Sequence, residues 1–412
     1  MAAVLLCWLP HLAVSYPASM NSDTQSQFDQ ILGLLPWSKH HPTLLAFFLL
    51  GTTRLGHALG SGNAGLFAYV LAQAVFAAAV IGYSQWIMRR LCAPVWLRAL
   101  SLALCAFAPV YCDNITVILK DVPYSYAMLL MLCEMVRQRF LEKESDGFSA
   151  GFVLRMTLSA FLMLRMRPNG AMVWIPICAA LFLGTRGRKR RAAIAAVAAL
   201  PFLLGAGFDA AFDARFHPQA ASLGEALSLP FQQTARCLLA YPDDVTESEL
   251  RAVSAVLDVE NGVPNYDPRL ADPVKDTSSP DLSGTYMQAW LSMGMRHPGV
   301  YLDAWLNMIY GYFYPSDSNT IVCLTLNSPD AGGVALRQSP ALSDARLELH
   351  NRIYFTLRRI PGVGWLFYVD SVVWVFLLLL AALVCRDDPF LLIDEPTNHL
   401  DERARAGIAA YL

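Results

Sequence analysis

The sequence is poor in charged residues. Only 16% of its 412 residues are Asp, Glu, Lys or Arg, whereas 55% are hydrophobic. Soluble domains carry roughly a quarter charged residues, so this composition is typical of an integral membrane protein. The formal net charge is only -2, and no basic tract is interleaved with aromatic residues. The chain therefore lacks the electrostatic footprint of a nucleic-acid-binding protein, and no nucleic-acid partner is expected.

The nine cysteines form no recognisable framework. There is no CxxC pair and no metal-ligand spacing, and most of the cysteines lie in or beside apolar runs, where cysteine behaves as a small hydrophobic residue. Only Cys237 and Cys323 fall in the large polar segment. A disulfide between them is one alternative; independent thiols are the interpretation that we favour.

Long apolar runs predict an all-α integral membrane protein with about eight transmembrane helices. A spanning helix needs about 20 apolar residues, and several runs read as the centres of longer spans. The first run is short and lacks the basic start of a signal peptide, so we expect it to be the outer end of a clipped membrane helix. The runs are Met1–Ser15, Gly62–Met88, Ala99–Tyr111, Val122–Val136, Phe148–Leu164, Ala171–Leu183, Ala192–Phe208 and Val363–Val384.

Basic residues predict the orientation of these spans in a bacterial plasma membrane. Three basic clusters, at residues 89–98, 137–143 and 186–191, fall on one side if the spans alternate. That side is cytoplasmic by the positive-inside rule. The alternation requires Pro42–Leu59, which contains Arg54, to lie along the outer leaflet as an interfacial helix, because an arginine in the middle of the bilayer is costly.

The predicted spans divide the chain into a membrane part, a polar extracytoplasmic domain and a tail. The parts are a transmembrane domain at 1–208 with a first outer loop at 16–42 and an interfacial helix at 42–60, an extracytoplasmic domain at 209–361, a last transmembrane helix at 362–385 and a cytoplasmic tail at 386–412. In the polar domain, Asp243–Leu257 predicts an amphipathic helix with Thr246 as its cap and Glu249 three residues on. Asn261–Pro280 predicts a loop, and His297–Tyr314 predicts an aromatic helix on the membrane surface.

Ionisable residues gather in the first outer loop. A carboxylate just outside a span can act as a general base toward an acceptor hydroxyl, or can hold a divalent metal such as Mg²⁺ or Mn²⁺. Histidine can donate a hydrogen bond to phosphate or shuttle a proton. The residues are Asp23, Asp29, His40 and His41. The alternative is that Asp23 only caps a helix that begins near Thr24.

A second group of ionisable residues lies at the outer mouths of later spans. Lys120 and Asp121 precede one span, and Arg167 and Asn169 follow another. Lys120 and Arg167 could contact a lipid-linked phosphate, and Asp121 could help Asp23 orient a metal or an acceptor. The alternatives are that Asp121 only complements a helix dipole and that Arg167 snorkels to the interface. Arg236, in the segment PFQQTAR of the polar domain, could support an acceptor.

An ordered set of segments resembles a bacterial multi-pass membrane family classed as a domain of unknown function. The segments are YPASMNSDTQSQFDQILG, LKDVPYSYAMLLML, RMRPNG, PFQQTAR, YDPRLADPVK and HPGVYLDAWLNMIYGYFYP. Their layout is similar to that of the C-type glycosyltransferases, which use polyprenyl-phosphate sugar donors. This resemblance implies that Asp23 is the catalytic or acceptor-orienting carboxylate, that Asp121 is its partner, and that Lys120 and Arg167 bind the donor phosphate, with a glycan or protein as acceptor.

The C-terminal segment PFLLIDEPTNHLDERARAGIAAYL resembles a different family, the ATP-binding-cassette ATPases. There Asp394 and Glu395 match the Walker B motif, and Asp401 lies in the D-loop. A cassette also needs a G-x-x-x-x-G-K-[ST] loop, and this sequence contains none. We therefore interpret the tail as a vestigial motif from a fusion or an artefact, and disfavour an ATPase component. The remaining alternative to a glycosyltransferase of the cell envelope is a non-catalytic polytopic protein, either a transporter part or an envelope scaffold.

Overall fold

A computed structural model describes residues 1–142, 147–167, 169–220, 227–278, 284–313 and 340–364. The described part is nearly all helical, as the sequence predicts. Its first half contains α1 Ala2–Val14, α2 Ser22–Ile31, α3 Thr43–Ala58, α4 Gly62–Arg90, α5 Val95–Phe107, α6 Pro109–Asn114, α7 Asp121–Phe140, α8 Ala150–Met166, α9 Gly170–Gly184 and α10 Arg188–Phe216. The predicted last span and the cassette-like residues Asp394, Glu395 and Asp401 lie outside the described residues.

Two of the described helices are long and apolar enough to cross a membrane. They are α4 and α10, with 29 residues each, and at 1.5 Å per residue each is about 43 Å long. Helices α1, α5 and α9 are shorter apolar helices. The number of eight spans and the multi-pass plasma-membrane topology stay predictions.

The sequence analysis missed a short parallel pairing that joins the first loop to the start of α7. Strand β1 is Ser19–Met20 and strand β2 is Val117–Ile118, with Ser19 opposite Val117. In the buried interior, Gln73 of α4 donates hydrogen bonds to the carbonyls of Ile115 (3.1 Å) and Val117 (2.9 Å). The amide thereby satisfies carbonyl groups beside β2 that would otherwise be costly to bury.

Helices α3 and α4 form a close hairpin. A Cβ atom on Gly56 would lie only 2.7 Å from the Cα atom of Gly65, so the two backbones touch. Helix α3 begins at Thr43 directly after Pro42, where the sequence predicts the interfacial helix to begin. The turn between α3 and α4 contains Gly60, whose φ of +71° is a left-handed conformation that favours glycine.

The predicted boundary between the membrane part and the polar domain at residue 209 falls inside α10. This helix continues to Phe216, although the apolar run ends at Phe208. Both acidic residues of its last turns, Asp209 and Asp213, have cationic partners.

The polar domain has its own core around Tyr286, Phe231 and Met293. Its elements are α11 Ser228–Ala240, α12 Glu247–Ser254, α13 Asp272–Lys275, α14 Gly284–Arg296 and α15 Pro298–Ile309, and a further helix, α16, spans Pro340–Arg358. The capping box of Thr246 and Glu249 is confirmed at the start of α12. The helix predicted after His297 is confirmed as α15, whereas the predicted loop Asn261–Pro280 also contains a 3-10 turn and α13.

Candidate functional site

Asp23 does not cap helix α2. The helix begins at Ser22, two residues earlier than the capping interpretation requires, and the side chain of Asn21 accepts the hydrogen bond from the backbone N–H of Thr24 at 3.0 Å. Asp23 therefore lies within the first turn, and its carboxylate is left to make a different contact. That contact is with Lys120, whose Nζ donates to Asp23 Oδ2 at 2.8 Å.

The β1–β2 pairing explains why two residues 97 positions apart meet. Strand β1 ends at Met20 and β2 ends at Ile118. Because the two strands are parallel, the segments that follow them leave the pairing in the same direction. Helices α2 and α7 begin directly after them. The hydroxyl of Thr24 also donates to the carbonyl of Ile118, which fixes the start of α2 against the end of β2.

The Asp23 carboxylate is held in its ionised form. Burial alone would raise its pKa, but the hydrogen bond and charge of Lys120, together with the charges of His41 and His40, hold the pKa of Asp23 below its ordinary value. The two imidazole rings stand edge to face with centroids 4.5 Å apart, His41 being buried and His40 exposed.

Asp121 and Arg167 form the neighbouring ion pair. Asp121 is the first residue of α7, and Arg167 ends α8, where its Nε donates to Asp121 Oδ1. An acidic residue is favoured at a helix N-terminus, so the dipole and Arg167 both stabilise this carboxylate. Asp121 directly follows Lys120 in the chain, so the two ion pairs involve adjacent residues at the start of α7.

Two further ion pairs extend this pattern around the helix ends. Arg165 of α8 pairs with Asp209 of α10, and Lys39 pairs with Asp213, one helical turn further along α10, at 2.6 Å. Lys39 directly precedes His40 and His41, which act on Asp23. These four ion pairs and two histidines are linked to one another by neighbouring positions in the chain. We call the set the charge ring, composed of Asp23, Lys39, His40, His41, Lys120, Asp121, Arg165, Arg167, Asp209 and Asp213.

Aromatic side chains pack beside the charge ring and position α10. Phe208 meets Phe47 of α3 and Phe161 of α8 at centroid distances of 5.8 and 6.4 Å. Trp37 packs on Phe216 at 4.5 Å. Gly205, one turn before Asp209, leaves room for the guanidinium of Arg165, since a Cβ atom there would lie 3.0 Å from Arg165 Cζ.

The prediction of the site missed Lys39, Arg165, Asp209 and Asp213. The sequence contains one signal for them: Asp209 and Asp213 are four residues apart at the end of an apolar run, so both lie on one face of a helix. Nothing in the sequence identifies which cations they meet, because Lys39 and Asp213 are 174 residues apart.

Three predicted supporting residues lie outside the charge ring. Asp29 accepts a hydrogen bond from Gln25 on its own helix at 2.9 Å. Asn169 is exposed at the start of α9. Arg236 belongs to the polar domain, where it pairs with Asp303 and donates to the hydroxyl of Tyr266 at 3.2 Å.

The sequence predicts that Asp23 and Asp121 could hold a divalent metal, and in the described part of the chain few further metal-ligating side chains accompany them. Within the described ranges, no group of three His, Cys, Asp or Glu side chains is arranged to hold a metal ion. Both carboxylates face a cationic side chain instead. A divalent metal at these two residues stays a prediction.

Comparisons with known proteins identify the family of this chain but do not indicate a function. Neither the curated proteins nor the solved structures include a match to the chain. A family model matches residues 36–392, which covers Lys120, Asp121 and Arg167 but not Asp23 or the cassette-like residues Asp394, Glu395 and Asp401. The chain belongs to this family, described as a family of unknown function (DUF6020).

Proposed function

We propose that this protein is a multi-pass plasma-membrane glycosyltransferase that moves a sugar from a polyprenyl-phosphate donor to an acceptor on the outer face of the membrane. The observation that carries the proposal is the pair of adjacent contacts Asp23–Lys120 and Asp121–Arg167. These two contacts support the proposal because each joins a carboxylate to a cation of the kind that binds phosphate, and Lys120 and Asp121 are adjacent in the chain.

The proposed reaction is a single displacement with inversion. The oxygen of the acceptor hydroxyl attacks the anomeric carbon of the sugar, and the bond between that carbon and the phosphate oxygen breaks. The phosphate keeps the bonding electrons and leaves as polyprenyl phosphate, while the hydroxyl proton passes to the carboxylate of Asp23. Asp121 keeps Arg167 oriented and thereby acts as a positioning residue.

The cations supply the electrostatic part of the mechanism. Negative charge develops on the phosphate as it leaves, and in this proposal Lys120 and Arg167 stabilise that charge. Their side chains are only partly exposed, at 23% and 38%, and such charge contacts are stronger than in open water because the local dielectric constant is lower. Lipid-linked phosphate would reach them from the bilayer boundary.

The test is sugar transfer by the purified protein in lipid vesicles, using a panel of polyprenyl-phosphate sugars. Asp23→Asn keeps the shape of the side chain but removes the base, so we expect a loss of about 10²-fold or more in kcat. Asp243→Asn, an exposed aspartate in the polar domain, is the matched control and should leave kcat unchanged. Equal turnover in both variants would rule out the proposed role of Asp23.

One observation favours the non-catalytic alternative. Each Lys and Arg of the charge ring has a carboxylate partner, so the ring could serve only to lock helix ends in a transporter or envelope scaffold. In that case Asp23→Asn would lower the melting temperature, and no sugar in the panel would be transferred by the unaltered protein.

A further inference from the structure

Resting on the proposed function, we infer that binding of the donor phosphate activates Asp23 as a base. The phosphate draws Lys120 away from the Asp23 carboxylate, so this carboxylate becomes a good proton acceptor only when the leaving group is bound. We call this exchange of partners the Lys120 switch. Lys120 would thus have two roles, as the partner of Asp23 in the free protein and as a ligand of the donor phosphate in the complex.

The surroundings of Asp23 make Lys120 the decisive neighbour. The Nζ atom of Lys120 forms a salt bridge with Asp23 Oδ2 at 2.8 Å. The charges of His41 and His40, from the segment before α3, also act on Asp23, with a smaller effect on its pKa than Lys120. The other two carboxylates of the predicted site have partners of their own, Gln25 for Asp29 and Arg167 for Asp121.

The competing influences on Asp23 give the direction of the change. Burial is the largest one and favours the protonated carboxyl, whereas the hydrogen bond and charge of Lys120 favour the anion. When Lys120 turns to a phosphate, its lowering effect on the pKa of Asp23 is lost while burial remains, and the negative charge of the phosphate also raises this pKa. The pKa of Asp23 then rises, and a carboxylate of higher pKa is a better proton acceptor.

The chemistry of the two cations explains why Lys120, rather than Arg167, makes the exchange. A lysine ammonium is a compact charge on a flexible stem and can turn between two anions. Arginine presents a rigid fork of donors, which can keep one anion while it binds another. Arg167 can therefore stay on Asp121 while Lys120 moves.

The experiment measures protonation of Asp23 without requiring turnover. A hydrophobic carbodiimide, which reacts with protonated carboxyl groups, is applied to the full chain in lipid vesicles across a range of pH, and labelling of the Asp23 peptide is followed by mass spectrometry. We expect sugar-free polyprenyl phosphate to raise the labelling midpoint by roughly one pH unit or more. Polyprenol, which lacks the phosphate, should leave the midpoint unchanged.

Two variants separate the switch from a general electrostatic effect. In Lys120→Met the midpoint should be high without ligand, and polyprenyl phosphate should raise it much less than in the unaltered protein, because only the charge of the phosphate then acts on Asp23. In Lys39→Met, which removes the ring lysine that pairs with Asp213 instead of Asp23, the response should persist. Native mass spectrometry shows whether polyprenyl phosphate binds the unaltered protein. If it binds and the labelling midpoint does not change, the Lys120 switch is wrong and the proposed function still stands. Absence of binding would overturn both.

Discussion

The buried hydroxyl of Thr24 donates a hydrogen bond to the main-chain carbonyl of Ile118, 94 residues further along the chain. The same hydroxyl lies 2.8 Å from the side-chain oxygen of Asn21, which caps α2. Thr24 therefore joins the cap of α2 to the end of β2. Because Asp23 directly precedes Thr24 and Lys120 lies two residues after Ile118, this contact sets the geometry of the first ion pair of the charge ring.

Replacing Thr24 with valine should loosen this junction. Thr24→Val keeps the shape but removes the hydrogen bond to a buried carbonyl, at a cost of about 1–3 kcal/mol in the free energy of unfolding. Thermal unfolding in detergent measures the loss. Thr24→Ser retains the hydroxyl and should cost less; a larger loss in the serine variant would show that packing of the methyl group matters more than the bond.

The polar domain should lose an ion pair in acid. The hydrogen bond from Arg296, aided by the capping contacts of Thr246, lowers the pKa of Glu249 from 4.5 to about 2. A folded-state pKa below the unfolded value means that the stabilisation is fully present above the unfolded value and is lost as the pH falls toward 2. The hydrogen-exchange protection factors of Glu247–Ser254, which are corrected for the intrinsic pH dependence of exchange, should therefore fall between pH 4.5 and pH 2.

Glu249→Gln is the control for the acid response. The amide cannot ionise, so protection of the same segment should be lower at neutral pH and should no longer depend on the Glu249 titration. An unchanged acid response in this variant would assign the effect to other carboxylates of the domain, such as Asp244 beside His297.

The close approach of α3 and α4 should not tolerate a methyl group. In Gly56→Ala the added Cβ would lie within 2.7–2.8 Å of the backbone of Ser61 and Gly65, and overpacking of this kind costs about 1–3 kcal/mol. Gly51→Ala, in the same helix but with nothing within 4 Å of the added Cβ, should be neutral or slightly stabilising. Melting temperatures of the two variants give the comparison, and equal values would contradict the direct contact between the two helix backbones.

The exposed apolar face of helix α15 should insert into the outer membrane interface. Its exposed face carries Leu302, Trp305 and Leu306, which are 54%, 42% and 46% exposed, and amphipathic helices with tryptophan prefer the membrane interface. The fluorescence of Trp305 is obtained as the difference between the unaltered protein and the Trp305→Phe variant. In vesicles that contain brominated lipid, the bromine atoms should quench this fluorescence. The fluorescence assigned in the same way to Trp290, which is held by Gln233 at 3.0 Å, is the control. Equal quenching of both would argue against a specific contact of α15 with lipid.

Local patterns in the sequence were sufficient to predict most helices. The apolar runs correspond to α1, α4 and α10, and the spacing of Thr246 and Glu249 predicted the capping box, because these signals depend on residues within one or two helical turns. The same reasoning failed for Asp23. An aspartate before Thr24 is an ordinary cap, and only the structure reveals that Asn21 fills that role.

Composition and local pattern were enough to predict a membrane protein, its helical segments and the ionisable residues at their ends. Which of those residues meet depends on the packing of the whole molecule. Two strands of two residues each are too short to leave a pattern in the sequence, yet their parallel pairing brings Asp23 to Lys120. The partners in the charge ring are separated by 44 to 174 residues, and such contacts arise from helix packing, which no local periodicity encodes.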